Sequence, residues 1–219
     1  MKSLLARTLI KKLEKQPIFV IGTGRSGTSI LLQALGAHPW IFAARGEAPL
    51  ISFAGHYTAS FESKDEVVRR YLGESIKVSR CSVHSTLRRL NFEVAYGPDY
   101  GLRRVVKQLL QRKSSFFSQN YWAAKIFSDE ESCRGLRNLY PEAKFIYIVR
   151  DGLGVVQSRM KFSGFKYDSF SEHCHNWQND AESYAYLEAA EFAVHLYYEQ
   201  LLDDPEQFFQ TIYQKLNIA

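Results

Sequence analysis

The sequence predicts an α/β domain in which a mainly parallel sheet of about five strands is flanked by helices. Short apolar runs of strand length, rich in β-branched and aromatic residues, alternate with segments of helical periodicity. Of the 219 residues, 46% are hydrophobic and 14% aromatic, which provides for one sizeable core and excludes a disordered chain. The five apolar runs are 17–21, 40–43, 121–127, 144–149 and 192–196.

The whole chain, 1–219, is predicted to be a single domain, because a typical domain takes about 150 residues and no linker divides the sequence. A leading helix is predicted over 1–16, where leucines recur at helical spacing among basic residues. We expect it to pack on the domain, with peripheral contact to an anionic membrane surface as the alternative. A helical insert is predicted over 48–118, and its basic residues are expected on a solvated face or, alternatively, against an anionic partner.

The charge balance favours an anionic ligand. Lysine and arginine total 28 against 23 acidic residues, which gives a formal net charge of +5. This excess does not choose between a nucleotide, a polysaccharide and a membrane surface. The three cysteines have no C-x-x-C spacing, so we expect neither a disulfide framework nor a zinc site, and a reducing, cytoplasmic location. Neither a signal peptide nor a membrane span is expected.

A glycine-rich loop follows the first predicted strand directly and leads into an apolar helix. The loop reads Gly22-Thr23-Gly24-Arg25-Ser26-Gly27-Thr28-Ser29. Glycines let the backbone approach a ligand closely, and the N–H groups at a helix start favour an anion. The spacing matches a phosphate-binding Walker A loop, except that Thr28 replaces its lysine and Arg25 lies inside the loop. We therefore predict a P-loop-containing three-layer fold whose anion site is not an ordinary ATP or GTP site.

A second strand-to-helix junction follows the fourth apolar run. Arg150 leaves the carboxyl end of that strand, and Ser158 lies eight residues further along, in the helix that follows. The two side chains together would hold a phosphate across the helix. Alone, the same residues also fit a plain Arg150–Asp151 salt bridge and a solvated serine, so this motif by itself leaves both interpretations open.

Together, the two motifs resemble the sulfotransferase family. The matching segments are P-I-F-V-I-G-T-G-R-S-G-T-S at 17–29, A-H-P at 37–39, and F-I-Y-I-V-R-D-G at 145–152 with Ser158. Trp177, L-Y-Y-E-Q-L at 196–201 and D-P-E at 204–206 look like the later helix and the tyrosine–glutamate segment of the family. The resemblance covers about 17–218, which is most of the chain.

The resemblance implies a co-substrate, 3′-phosphoadenosine 5′-phosphosulfate (PAPS). The family pattern implies that the loop around Arg25 binds the 5′-phosphosulfate, and that Arg150 and Ser158 hold the 3′-phosphate. The implied nucleotide-binding residues are Gly24, Arg25, Ser26, Gly27, Thr28, Ser29, Arg150, Ser158 and Tyr198.

The resemblance is strongest to the branch containing Golgi tyrosylprotein and bacterial sulfotransferases, where an arginine occupies the loop and a glutamate follows. Arg25 and Glu47 fit this pattern, and Lys125 matches a family lysine that contacts the bridging or sulfuryl oxygens. Cationic side chains can stabilise an in-line sulfuryl transfer without magnesium, so no metal cofactor is expected. Glu47, expected on the loop leaving the second strand, is the candidate base for the acceptor hydroxyl, followed by His38 and His56.

The predicted function is a sulfotransferase that moves a sulfuryl group from PAPS to a hydroxyl acceptor, with the insert shaping the acceptor cleft. The acceptor is a carbohydrate, including an anionic saccharide, a phenol or tyrosyl group, or a lipid headgroup, and no nucleic-acid partner is expected. Two alternatives stay open: a P-loop kinase, in which Asp151 would bind magnesium, and a non-catalytic nucleotide- or polyanion-binding module. The H-C-H sequence at 173–175 lacks the usual spacing of a metal site.

Overall fold

A five-stranded parallel sheet forms the centre of the molecule. The computed structural model describes residues 16–47, 51, 52, 55, 56, 59, 120–165 and 169–218. The strands are β1 (Gln16–Ile21), β2 (Ile41–Glu47), β3 (Tyr121–Lys125), β4 (Lys144–Val149) and β5 (Ala193–Tyr197). Their order across the sheet is β2-β3-β1-β4-β5, and every neighbouring pair is parallel. The predicted α/β class with a parallel sheet is confirmed.

Helices connect the strands and cover the sheet. They are α1 (Thr28–Leu35), α2 (Glu130–Leu139), α3 (Gly152–Met160), α4 (Phe170–Tyr184), a short 3₁₀ turn (Ala185–Leu187), α5 (Tyr198–Asp203) and α6 (Pro205–Leu216). Local chemistry starts several of them: Ser169 and Glu172 form a capping box at α4, and Asp204 caps α6 ahead of Pro205. None of the described helices has the length and apolar character that a membrane crossing requires.

Alternation along β1 divides the core into two layers. Phe19 and Ile21 face one side of the sheet, where they are buried with residues of β3, β4 and α2. Ile18 and Val20 face the other side, where α1 and α6 cover them. All four side chains are fully buried, as expected for the central strand of a parallel sheet. The three-layer arrangement thus follows from the two-residue period of a strand that is apolar on both faces.

The predicted element boundaries differ from the observed ones in informative ways. The run at 144–149 is a strand over its whole predicted length, whereas β1 begins one residue earlier than predicted, at Gln16. β3 ends at Lys125, two residues before the predicted end. β2 runs to Glu47, four residues beyond the predicted end, because its register with β3 shifts between Ala43 and Glu47. A glycine at position 46 within this irregularity is typical of a bulged strand.

Two predicted segments fall largely outside the described residues. Residues 1–15 of the leading helix are not among them. Of the insert at 48–118, the described residues are 51, 52, 55, 56 and 59, and all five are helical and buried. Their spacing places them on one face of a helix, so the part of the insert that is described does pack against the domain.

The sheet order determines which loops meet. β1 lies between β3 and β4, and the carboxyl ends of parallel strands share one edge of the sheet. The glycine-rich loop, Lys125 and Arg150 therefore emerge from three adjacent strands at the same edge. Glu47 at the end of β2 and Tyr198 after β5 flank them.

Candidate active site

The loop between β1 and α1 has the backbone of an anion-binding turn. Arg25 and Gly27 both adopt positive φ angles, 75° and 95°, so the chain makes a left-handed turn just before the helix. Gly27 is the N-cap of α1, with no side-chain cap and no acidic residue in the first turn. The helix start therefore presents backbone N–H groups and the positive end of the helix dipole at the carboxyl edge of the sheet.

Hydroxyl groups line the inside of this loop. Thr23, Ser26 and Thr28 are buried although they are polar. The Ser26 hydroxyl has no hydrogen-bond partner in the part of the chain that the structure describes. It lies against Gly22, where a Cβ atom would come within 2.6 Å of Ser26 Oγ. A buried hydroxyl without a partner is costly, and an anion oxygen in the loop would satisfy it.

The Arg25 side chain links the two predicted anion sites. Its Nε donates a hydrogen bond to Ser158 Oγ at 3.0 Å, and its guanidinium stacks on the Phe162 ring, 4.5 Å from the centroid. Its backbone carbonyl accepts a hydrogen bond from the Arg150 guanidinium at 3.1 Å. The structure therefore brings Arg25, Arg150 and Ser158 together, although Arg150 and Ser158 lie 125 and 133 residues after Arg25 in sequence.

Tyr198 forms a wall between the loop and the second junction. A Cβ atom on Gly27 would lie 2.4 Å from the Tyr198 ring, so the close approach requires glycine. The Arg150 guanidinium stacks on the same ring, 4.5 Å from its centroid. The predicted residue Tyr198 thus contacts both anion-binding segments.

At the second junction, a side chain of the junction itself caps the start of α3. The Asp151 carboxylate caps α3 by accepting from the Gly154 N–H at 2.8 Å, and the Asp151 N–H donates to the Glu199 carboxylate at 3.0 Å. The Trp177 ring packs over Gly152, where a Cβ atom would approach it to 2.6 Å. Asp151 is therefore used by the fold, and Arg150 is directed to the loop and Tyr198.

Lys125 and Glu47 end neighbouring strands. Lys125 Nζ donates to Ser29 Oγ at 3.4 Å and lies over the Phe127 ring, 5.5 Å from its centroid. Glu47 pairs with Lys125 in the β2–β3 register. The expectation that Glu47 lies on a loop is wrong: it is the last residue of β2, because the irregularity after Ala43 extends the strand. The backbone of Glu47 is nevertheless at the carboxyl edge, beside Lys125.

The two histidines named as alternative bases lie in different places. His38 precedes β2 at the amino edge of the sheet, where its ring packs at a tilt against the Tyr213 ring, with centroids 4.8 Å apart. It is therefore excluded as a base at the carboxyl edge. His56 is buried near that edge, with Nε2 at 3.3 Å from an Asp129 carboxylate oxygen.

A buried hydroxyl cluster joins the described part of the insert to the loop after β3. Ser52 Oγ donates to the Phe127 carbonyl at 2.9 Å and contacts Ser128 Oγ at 2.9 Å. Ser132 Oγ donates in turn to the Ser52 carbonyl. These contacts connect the segment that follows Glu47 to the segment that follows Lys125.

The buried thiol of Cys133 is not a candidate nucleophile. Burial raises the pKa of the Cys133 thiol to about 12, so it stays protonated and is a poor nucleophile. The same residue accepts a hydrogen bond from the Tyr186 hydroxyl, whose pKa burial also raises. Among the residues that the structure describes, no cluster of three or more His, Cys, Asp or Glu side chains could hold a metal ion.

Sequence reasoning missed a buried arginine beside the loop. Arg159 is only 1% exposed; its Nε donates to the Gly24 carbonyl at 3.3 Å, and its guanidinium pairs with Asp180. The signal was present in the helical spacing: Val155, Val156 and Arg159 form the buried face of α3. A charged residue on an apolar helix face needs a partner in the fold.

Comparisons with known proteins agree with these motifs. A model of the sulfotransferase family matches residues 17–219. Protein-tyrosine sulfotransferase 1 of Danio rerio is 28% identical over 209 residues, which is 92% of this chain and 53% of that protein. The chain thus spans about half the length of this relative.

Solved structures show a similar fold at low identity. The sulfotransferase domain from the curacin biosynthetic pathway is 17% identical with a TM-score of 0.57, over 94% of this chain and 75% of that one. A sulfotransferase from Alicyclobacillus acidocaldarius is 16% identical with a TM-score of 0.56, over 94% and 82% respectively. Because the family model extends over nearly the whole chain and the loop motifs agree with it, the chain belongs to the sulfotransferase family.

Proposed function

We propose that this chain transfers a sulfuryl group from PAPS to a hydroxyl acceptor. The observation that carries the proposal is the joining of two anion-binding segments through Arg25, which contacts both Ser158 and Arg150. A nucleotide with anionic groups at its 3′ and 5′ positions needs two such segments on one site. A nucleotide with phosphate at one position needs only one.

The residues present fit this donor. The unpartnered Ser26 hydroxyl and the uncapped start of α1 would take the 5′-phosphosulfate. Arg150 and Ser158 would take the 3′-phosphate, because a serine hydroxyl can donate to a phosphate while it accepts from Arg25 Nε. Tyr198 contacts both segments and would line the nucleotide between them. When bound, PAPS supplies an activated sulfuryl group.

Three residues would carry the chemistry at the carboxyl edge. Arg25 and Lys125 stabilise negative charge on the sulfuryl and leaving phosphate oxygens. The acceptor hydroxyl oxygen would bond to sulfur while the bond from sulfur to the phosphate oxygen breaks. The Glu47 carboxylate would accept the proton that the hydroxyl loses. The products are the sulfate ester of the acceptor and adenosine 3′,5′-bisphosphate. The β2–β3 register, which pairs Glu47 with Lys125, supports this assignment.

The use of Asp151 argues against the kinase alternative. A kinase of this kind would need that carboxylate for magnesium, whereas here it caps α3. We expect transfer activity to survive EDTA, and strict dependence on magnesium would favour the kinase instead. Nucleotide binding without any sulfate transfer across the acceptor classes would favour the non-catalytic module.

Calorimetry with two nucleotides tests the donor assignment directly. Adenosine 3′,5′-bisphosphate should bind much more tightly than AMP, because AMP lacks the anion that Arg150 and Ser158 would bind. Equal affinities would overturn the proposal.

The acceptor is proposed to be a hydroxyl on a phenol or tyrosyl group, a carbohydrate or a lipid headgroup, in a cleft shaped by the insert at 48–118. A tyrosyl peptide is the first to assay, because the Danio rerio relative is named for protein tyrosine. Transfer of labelled sulfate, compared across the three classes including an anionic saccharide, identifies the acceptor. No transfer to any class would leave the hydroxyl-acceptor proposal without support.

We further propose a single domain that acts in the cytoplasm, with the leading helix packed on it. The three cysteines of the sequence lack the spacing of a disulfide framework, which is the basis for this location. Fluorescence localisation of the tagged chain, with vesicle binding by residues 1–16 as the competing outcome, tests this part.

A further inference from the structure

Arg159 is a buried charge that the proposed reaction does not use. It belongs to α3 and directly follows Ser158, yet only 1% of its surface is exposed. Its guanidinium donates to the Gly24 carbonyl through Nε, pairs with Asp180 of α4, and lies over the Phe165 ring, 5.1 Å from the centroid. A guanidinium buried in this way is held by its partners and in turn holds them.

The Gly24 carbonyl is the partner that matters for the site. Arg25 follows it with a φ angle of 75°, a backbone conformation that non-glycine residues rarely adopt. The Gly24–Arg25 peptide is trans, so its carbonyl and the Arg25 N–H point in opposite directions. Because Arg159 binds the carbonyl, the Arg25 N–H points away from Arg159. A flipped peptide would instead direct a carbonyl oxygen towards the anion.

Arg150 binds the next carbonyl in the same way. Its guanidinium donates to the carbonyl of Arg25, one peptide further along. Two arginines thus bind two successive carbonyls of the loop. The Phe165 ring packs against Gly24, where a Cβ atom would lie only 2.8 Å from the ring.

We propose that Arg159, oriented by Asp180, is a positioning residue that holds the Gly24–Arg25 peptide in the orientation required for binding the 5′-phosphosulfate. The inference rests on the proposed function for its ligand. The competing explanation is that the Arg159–Asp180 pair only joins α3 to α4. The two explanations differ in what they predict for the loop and for ligands that do not occupy it.

Arg159→Lys is the informative variant, because a lysine keeps the charge but cannot serve Gly24 and Asp180 with two separate nitrogens. Arg159→Met removes the charge as well. Asp180→Asn removes the negative charge that faces the buried guanidinium but keeps an oxygen that can accept from it, so we expect its effects to have the same direction as those of Arg159→Lys and to be smaller. Arg137→Met is the control: it removes an exposed arginine of α2 that stacks on Phe192, at the opposite edge of the sheet.

Two measurements on the full chain separate the explanations. The first is hydrogen exchange in residues 22–29, which needs no ligand. The second is the ratio of affinities for adenosine 3′,5′-bisphosphate and adenosine 3′-monophosphate, which isolates the contribution of the 5′ group. Both Arg159 variants should exchange faster in the loop but not in β1. Their affinity ratio should fall by about tenfold, the scale of one hydrogen bond involving a charged group.

The Arg137→Met control should keep the loop exchange and the ratio within about twofold of the parent chain. The proposal is overturned if hydrogen exchange in the loop is unchanged in Arg159→Lys, or if the variants lose affinity for both nucleotides by the same factor. It is also overturned if neither Arg159 variant folds. A parent chain that binds the two nucleotides equally would overturn the proposed function, while loop exchange would still decide the role of Arg159.

Discussion

The two strand-to-helix junctions at the carboxyl edge have the same architecture and opposite electrostatics. After β1, the chain turns through two positive φ angles and leaves the start of α1 without a side-chain cap. After β4, Asp151 caps α3 with its own carboxylate. At the first junction the backbone N–H groups at the start of α1 favour an anion. At the second, the Asp151 carboxylate is the anion at the start of α3.

Under the proposed function, the two junctions would bind two parts of one ligand by two means. At the first junction the binding group would be the backbone, so glycine and φ angles matter most. At the second, the binding groups would be the side chains of Arg150 and Ser158. The two junctions meet at Arg25, whose backbone contacts Arg150 and whose side chain contacts Ser158.

Replacing the candidate base Glu47 should lower turnover without changing nucleotide binding at either junction. It is the substitution with the largest expected effect. Glu47→Gln should lower turnover by a factor of about 10² or more, the scale of lost general-base catalysis. Affinity for adenosine 3′,5′-bisphosphate should be unchanged, because neither junction is altered. Initial rates of labelled sulfate transfer and calorimetry measure the two quantities. Turnover near the parent rate would assign the base elsewhere, with His56 as the next candidate.

Arg150→Ala should act mainly at the second junction, and at the first it removes one hydrogen bond to the Arg25 carbonyl. The loss of charged hydrogen bonds to the 3′-phosphate should make the binding free energy of the bisphosphate less favourable by about 1.5–3 kcal/mol. AMP, which has no 3′-phosphate, should weaken far less, and calorimetry with both nucleotides measures the difference. Arg137→Ala is the matched control for loss of one positive charge. Equal weakening of both nucleotides would contradict the division of labour between the junctions.

Gly27→Ala should damage the first junction through its backbone. The methyl group would meet the Tyr198 ring at 2.4 Å and force a non-glycine residue to a φ of 95°. Such strain costs about 1–3 kcal/mol of unfolding free energy, and AMP binding should weaken with it.

Gly154→Ala is the comparison at the second junction, where the added methyl group meets Arg150 Nε at 3.2 Å and the Asp151 carboxylate at 3.4 Å, both of them side-chain atoms. In a helix this change is expected to stabilise by at most about 1 kcal/mol. Urea unfolding measures both variants, and equal stability of the two would contradict the contrast between the junctions.

Asp151→Ala should show the smallest effect and should concern stability. Loss of the cap on α3 should lower the free energy of unfolding by about 1 kcal/mol. Asp151→Asn should be nearly neutral, because an amide oxygen can still accept from the Gly154 N–H. Chemical denaturation of the two variants measures this, and equally destabilised variants would mean that the charge matters more than the cap.

Much of the fold and part of the site could be predicted from the sequence because they depend on local patterns. A buried parallel strand is a short apolar run whatever it pairs with, so 144–149 was predicted at its observed length. The glycine loop was also predictable, since positive φ angles and close contacts restrict residue type position by position. Arg150 was predicted at a strand end from the apolar run before it, and Tyr198 was singled out only through the family resemblance of its segment.

Other features depend on pairings that no local pattern encodes. The extension of β2 to Glu47 accompanies a register shift against β3. The apolar run in the sequence stops at residue 43, so the sequence alone predicts that the strand ends there. His38 was separated from the site by the direction of β2, which only the parallel topology determines.

The sequence by itself therefore determined the approximate positions of the strands, the glycine-rich turn and the family resemblance, because steric limits on the backbone and apolar periodicity act within a few residues. The tertiary structure alone decided that Arg25 meets Ser158, 133 residues away, and that buried Arg159 binds the Gly24 carbonyl. The physical reason is that a charged side chain has no local partner of fixed identity. Its partner is whichever polar group the packed elements bring within hydrogen-bond distance.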